Sequence, residues 1–347
     1  HRELWKKRMN GLVTRPVYAE GSLVLVNSSE ITAIEPDTGR VRWRIPNGAA
    51  VRAVNTGSGL VFVLTADLRR VRDLTLRCLS PRNGEVVWSR QIPDHSVYDV
   101  LLVADEAVGI ASLEPAGVSV FDLSTGRLRY RVAMKKNALG RVPKILDGDK
   151  LLVVHAAKRV DLHDLTTGAV LWSRDLDRKR RYRSGVAASG TVIYADSRDH
   201  LVAIDAASGV IRWDEPPREN TSILSTGDAA DAELVFTIRR RDKDNSHNVT
   251  ARSLRTGKEI WKRELIRARN ADFATEVTER YLVIHVNAFD HGESAWTSKT
   301  LFFDKQDGTT VQELTADALQ GSFTTVILGH GLLSLSAQGR VAVFGPK

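Results

Sequence analysis

Cysteine is almost missing from this chain: Cys78 is the single thiol in 347 residues. That excludes an intrachain disulfide and any zinc site built on several thiolates. Cys78 alternates with Leu76 and Leu74 in "LTLRCLSPRNG", the pattern of a buried strand residue rather than of a reactive thiol. Long apolar runs are missing too. None approaches the roughly 18 residues of a membrane-spanning helix, so no membrane span is read in this chain. The opening "HRELWKKRMNG" has neither an apolar h-region nor a small-residue cleavage site. The expectation is a mature N-terminus or the boundary of a domain within a larger protein. Also absent are G-x-S-x-G, H-E-x-x-H, a P-loop and a G-x-G-x-x-G after a strand, which removes the commonest hydrolase, metalloprotease and nucleotide-binding signatures. Helical 3.6-residue periodicity is nearly absent as well.

A repeat takes their place. Turn glycines fall at Gly39, Gly84, Gly126, Gly168, Gly209, Gly257 and Gly308, 41 to 51 residues apart. Four residues after them come Trp43, Trp88, Tyr130, Trp172, Trp213, Trp261 and, in the most degenerate copy, Gln312. Between these points lie short runs such as "TVIYADS", "HLVAIDA" and "VIRWD", punctuated by "ASG" and "SRD". Short Val-, Ile- and aromatic-rich runs at regular spacing argue for all-β structure. A unit of this length holds four antiparallel strands, the size of a propeller blade.

The two ends complement each other. Trp5 looks like part of the last strand of a unit, and "TTVILGHGLLSLSAQGRVAVFGPK" supplies three strands without a closing one. The expected fold is therefore all-β: an eight-bladed β-propeller of four-stranded antiparallel blades. Residues 1–347 would form a single domain, with blade 8 shared between residues 1–8 and about 320–347. The N-terminal strand would close the ring by pairing with the C-terminal blade beside Phe344.

Glycine at each turn supplies a backbone conformation that other residues avoid. Thr38, Thr125, Thr167, Ser208 and Thr256 precede five of these glycines and can brace the turn through local hydrogen bonds. Each large ring after the turn can bury about 150–250 Å². Trp5, Trp43, Trp88, Tyr130, Trp172, Trp213 and Trp261 are thus read as docking residues that wedge between neighbouring blades, with a ligand-stacking cage as the alternative.

Ala203, Asp205, Ser208, Gly209 and Trp213 match the pattern A-x-D-x-x-[TAS]-G-x-x-x-W. Partial copies run from Ala33 to Trp43, Val120 to Tyr130, Leu162 to Trp172 and Ala251 to Trp261. The pattern resembles the tryptophan-docking repeat of the pyrroloquinoline quinone (PQQ)-like β-propellers, and the resemblance covers the whole chain. It implies an eight-bladed ring in one of two branches. The catalytic branch implies an alcohol or sugar dehydrogenase, with the quinone in the central funnel, a calcium ion beside it and an Asp as base. Its alcohol dehydrogenases carry two adjacent cysteines and long inter-blade insertions, and this chain has neither. The scaffold branch, whose best known member is the propeller lipoprotein of the bacterial outer-membrane β-barrel assembly machinery, implies no cofactor, a protein partner and a place in the cell envelope or periplasm.

Net charge is +8, which favours an anionic partner. Threading the repeat puts the second-to-third-strand loops and the inter-blade connections on one side of the ring. Basic segments gather there: Arg69, Arg70 and Arg72; Lys135 and Lys136; Lys179, Arg180, Arg181 and Arg183; Arg239, Arg240 and Arg241; and "IRARN" from Ile266. Asp67, Asp73, Asp177, Asp242 and Asp244 offset part of this charge. The expectation is a docking face for an acidic protein, an anionic glycan or lipid headgroups. Nucleic acid is not favoured, because Tyr182 is the one aromatic among these loops. Asp290, His291 and Glu293 lie close in sequence with His285 upstream, a weak metal or acid/base grouping read as a loop. His155, His163, His200 and His330 are scattered over different blades and are assigned structural or surface roles. Two classes remain: a non-enzymatic interaction scaffold using the basic face, and a small-molecule-binding or PQQ-dependent propeller using the central channel.

Overall fold

The computed structural model describes residues 2–9, 16–70, 72–93, 96–134, 143–146, 148–155, 159–175, 182–196, 200–216, 221–225, 230, 233–241, 243–290, 295–315, 324–327, 333–337 and 340–345. Every regular element among them is a strand, and the 32 strands form eight four-stranded antiparallel sheets. The chain divides into two compact units: His1–Asn137 with Thr166–Gly168 and Leu319–Lys347, and Ala138–Leu165 with Ala169–Ala318.

In the first unit, β2–β5 (residues 17–46), β6–β9 (50–92) and β10–β13 (96–133) each form a sheet in chain order. Its fourth sheet joins β30 (Thr324–Ile327), β31 (Leu333–Ala337) and β32 (Arg340–Gly345) to β1 (Arg2–Arg8), in the order β1-β32-β31-β30. Glu3 pairs with Phe344 and Trp5 with Val343. The N-terminal strand thus completes the C-terminal sheet, as the sequence predicts. The second unit holds β14–β17 (144–175), β18–β21 (182–215), β22–β25 (221–267) and β26–β29 (270–315).

Within each unit the core lies between successive sheets. On β3 (Ser22–Val26), Leu23 and Leu25 pack with Val341 and Val343, whereas Val24 and Val26 pack with Val61 and Val63 of β7 (Leu60–Ala66). A middle strand covered on both faces needs apolar side chains at every position, which is why "SLVLV" and "LVFVLTA" read as continuous runs. The outermost strands meet solvent and alternate instead, as β5 (Val41–Pro46) does.

Each turn glycine has a φ between 65° and 76°. In the best-matching copy, the Gly209 N–H donates to the Asp205 carbonyl at 2.8 Å, and the Asp205 carboxylate accepts from the Ser208 amide and hydroxyl at 2.8 and 2.7 Å. Those bonds, with Arg212 beside the other carboxylate oxygen, hold Asp205 down at about 2.

The docking ring covers the turn of the following repeat rather than its own. In the first unit Trp5, Trp43 and Trp88 lie on Gly39, Gly84 and Gly126, and Tyr130 lies on Gly168, whose turn belongs to that unit. In the second, Trp172, Trp213 and Trp261 lie on Gly209, Gly257 and Gly308. Each indole N–H donates to the carbonyl three residues before its glycine, at 2.6 to 2.9 Å. Arg90, Arg174 and Arg263, two residues past their tryptophans, donate to the carbonyls of Gly126, Gly209 and Gly308 at 2.8 to 2.9 Å. A one-residue bulge precedes the docking position in all seven copies, the Gln312 copy included: Cys78 pairs with Trp88 but Leu79 with Val86, and Ala203 pairs with Trp213 but Ile204 with Ile211. Such a bulge twists an outer strand and re-aims its side chains.

Two predictions follow from this packing. A methyl group on Gly126 would stand 2.5 Å from Trp88 Cε3, whereas Gly48, at a similar φ of 66°, has open space around the same position. Gly48→Ala should therefore cost only the backbone strain, about 1–3 kcal/mol. Gly126→Ala should cost a further ~1–3 kcal/mol from overpacking, measured by urea unfolding; equal losses would refute the ring contact. Trp5 is only half-buried, so Trp5→Ala should cost less than the ~3–5 kcal/mol of a fully buried tryptophan. It should also speed amide exchange along Arg340–Gly345, and unchanged exchange there would show that β1 does not anchor the sheet.

Candidate functional site

The loop between β7 (Leu60–Ala66) and β8 (Leu74–Leu79) brings Arg69, Arg70 and Arg72 together. Asp67 organises it: one carboxylate oxygen accepts the backbone N–H groups of Arg69 and Arg70 at 2.7 and 2.8 Å. Those bonds, Arg70's first, hold Asp67 below the usual carboxylate range. The Asp73 N–H closes the loop onto the Arg70 carbonyl at 2.8 Å. The loop's first acid is thus spent on its backbone while its guanidinium groups project outward. Arg70 is 82% exposed with Asp73 3.8 Å away, and Arg72 reaches Glu114, at the end of β11 (Ala107–Glu114), at 3.4 Å.

The second basic cluster departs from expectation. The segment read as a loop from Arg239 to Asn248 is mostly strand: β23 (Leu234–Arg241) and β24 (Ser246–Ser253) leave only residues 242–245 between them. Leu234, Phe236 and Ile238 face one inter-sheet core, so strand alternation turns Arg239 to the opposite face. There it is buried and lies 3.3 Å from Glu215, which also holds the buried Arg252 at 3.0 Å. Arg239 therefore belongs to an internal ion-pair network and contributes nothing to an exposed surface. Arg240 is half-buried, and Arg241 is exposed and paired with Asp244, Nε to Oδ1 at 3.0 Å. Arg183 lies on β18 (Tyr182–Ala188), its side chain outside the described residues. Lys135, Lys136, Lys179, Arg180 and Arg181 lie outside the described residues altogether.

A surface feature that the sequence reading missed accompanies the repeat. Exposed aliphatics cluster just after the turn glycines: Val86, Val87 and Leu128 in the first unit, and Val170, Leu171, Val210, Ile211, Ile260 and Val311 in the second, from 38% to 61% exposed. The signal was present as Val, Leu or Ile one to three residues after each Gly. At the bulged position itself, Arg129 and Arg212 instead reach back to the turn acids Asp122 and Asp205.

The histidine groupings also resolve. His285 is buried, with Nδ1 3.2 Å from the Thr300 hydroxyl and Nε2 3.1 Å from Asn287 Oδ1; burial pushes it down to about 4. Its hydrogen bonds run within β27 (Tyr281–Asp290) and β28 (Ala295–Asp304), and His291 and Glu293 lie outside the described residues. His200 stands 3.5 Å from Asp214, and His330 lies outside the described residues. His155, Asp161 and His163, which the sequence reading left apart, come together: their ligand atoms all lie within 4.8 Å of one another.

Among the described residues, no cluster offers the oxygen-rich ligand set that the calcium ion of a quinone site would take. Cys78 is buried in the core between β6–β9 and β10–β13, its thiol pushed up to about 12 by burial, with no second thiol to pair with. His155, Asp161 and His163 form the one three-residue ligand cluster among the described residues, and they offer two nitrogens. Calcium takes six to eight oxygens.

Comparison with known proteins agrees with the blade-by-blade description. The crystal structure of BamB from Moraxella catarrhalis superposes with a TM-score of 0.67 at 15% identity, covering 98% of both chains. A quinohemoprotein alcohol dehydrogenase from Pseudomonas putida HK5 superposes at 0.64 with 11% identity, over 98% of this chain and 75% of that one. These likenesses establish the β-propeller fold class. In sequence, the outer membrane protein assembly factor BamB of Bordetella pertussis is 23% identical over 239 residues, 63% of this chain and 58% of that protein. The match thus spans little more than half of that relative. The family model described as outer membrane protein assembly factor BamB matches residues 2–129 and 114–346. Matched almost from end to end, the chain belongs to the family of the outer membrane protein assembly factor BamB.

Proposed function

We infer that this chain is a non-enzymatic interaction module of the outer-membrane protein assembly kind, docking an acidic protein surface on its arginine-bearing loops. The observation that carries the reading is the loop of residues 67–73, where a carboxylate fixes the backbone and three arginines project from it. Pre-ordering of this kind lowers the entropy lost on binding, and arginine pairs with carboxylates through two donors at once. The exposed aliphatics beside the turn glycines give a partner apolar area to cover as well. Family membership supports the assembly role, since the relatives' name states that activity.

The reading predicts that Arg69→Glu, Arg70→Glu and Arg72→Glu together weaken capture of the native partner by about tenfold or more and flatten its salt dependence. A photo-crosslinking residue placed at Arg69, in cells that make the protein, should give a discrete adduct with a component of outer-membrane protein assembly. An adduct of undiminished yield when Arg70→Glu and Arg72→Glu are added to that crosslinking variant would remove this loop from the function.

A further inference from the structure

We propose that His155, Asp161 and His163 form a binding site for a single borderline-soft divalent cation of the zinc or cobalt type. All three come from one β-hairpin: His155 ends β15 (Lys150–His155), while Asp161 and His163 lie two residues apart on β16 (Arg159–Asp164). Strand alternation therefore turns Asp161 and His163 to the same face, and the register His155↔Arg159 brings His155 to its near end. Their ligand atoms fall within 4.8 Å of one another, and a tetrahedral zinc site with bonds near 2.0–2.2 Å needs them about 3.3 Å apart. His155 Nε2 stands 2.7 Å from Asp161 Oδ2, so rotation of His155, the most exposed of the three, opens that pair to the metal spacing.

The state of the imidazoles separates this cluster from an ordinary buried histidine. His285 has a partner on each ring nitrogen. His155 Nε2 instead stands 2.7 Å from Asp161 Oδ2 and is shielded from solvent, yet it finds no aligned hydrogen-bond partner among the described residues. A nitrogen and a carboxylate oxygen thus converge at 2.7 Å, and a cation entering the cluster takes the place of whatever proton they share. The other Asp161 oxygen accepts from the Ser173 hydroxyl at 2.8 Å, which orients the carboxylate as the outer partners of metal ligands do. Asp161 and His163 are almost wholly buried on β16, so the sheet sets their positions.

Arg159 is the competitor. Its Nη2 lies 2.8 Å from the oxygen that His155 approaches, and it supplies the positive charge that a metal would otherwise bring. Its side chain is 47% exposed, so it can swing into water and vacate the carboxylate. Two nitrogens and one carboxylate oxygen suit zinc, cobalt, nickel or iron(II) and disfavour calcium and magnesium. Water takes the remaining coordination position.

The test is titration of the full chain with Co²⁺, followed by visible d–d absorption and by calorimetry, then displacement with Zn²⁺. One equivalent should bind at micromolar concentration. His155→Ala, at the exposed end of the strand, should abolish the signal, and Asp161→Asn gives a second variant should the first fail to fold by circular dichroism. Arg159→Gln should tighten binding several-fold by removing the competing cation, a change that a purely structural Asp161 ion pair does not produce. No saturable binding below millimolar concentration would overturn the proposal. So would a signal that survives His155→Ala, or weaker binding in Arg159→Gln.

Discussion

The contact between an indole ring and the turn glycine of the following repeat is the constraint on which the rest of this structure depends. It fixes the residue, since no side chain fits beneath the ring and the left-handed φ disfavours one in any case. It relies on the bulge just before it, which re-aims the ring. It also engages three arginines of the outer strands, Arg90, Arg174 and Arg263, which bind the neighbouring turns. At these positions the arginines are fasteners.

The repeat spacing, the four-strand units and the completion of the C-terminal sheet by β1 were all legible in the sequence, because each depends on local pattern: turn glycines, aromatic residues and continuous apolar runs. What escaped was whatever depends on partners distant in sequence. Nothing in "RRRDKDNSHN" shows that Arg239 turns inward, because Glu215 lies in a different sheet. Composition draws a run of arginines toward a loop reading, while hairpin register carries the strand through them. The joining of His155 to His163 was hidden likewise: they lie eight residues apart with a hairpin between them, and single-residue spacing gives no hint of the fold-back.

The functional reading rests on a division of labour that the geometry makes visible. Carboxylates near the loop backbones are spent on ordering those backbones: Asp67 in the arginine loop, Asp122 and Asp205 in the turns. The cations then divide into two groups. Arg90, Arg129, Arg174, Arg212, Arg239, Arg252 and Arg263 are held by turns, close acids or buried pairs, whereas Arg69 is exposed, and Arg70 and Arg72 are exposed with only longer contacts to Asp73 and Glu114, at 3.8 and 3.4 Å. A formal excess of +8 therefore overstates what a partner meets, and position matters more than count.

Because every ring reaches forward by one repeat, the array has a direction. The turn of one repeat is sealed by a residue encoded in the repeat before it, so a sequence unit and a structural unit are out of phase. Removing one repeat would break two interfaces, and the ring of the repeat before it would have to re-seat on the glycine of the repeat after it. Insertions and deletions can then be absorbed within loops, as the spacing of 41 to 51 residues between turns records, while whole repeats must be gained or lost in a phase that preserves the hand-over. The bulge acts as the joint that transmits this order from neighbour to neighbour, and it makes the chain a relay of dependent modules rather than a set of independent ones.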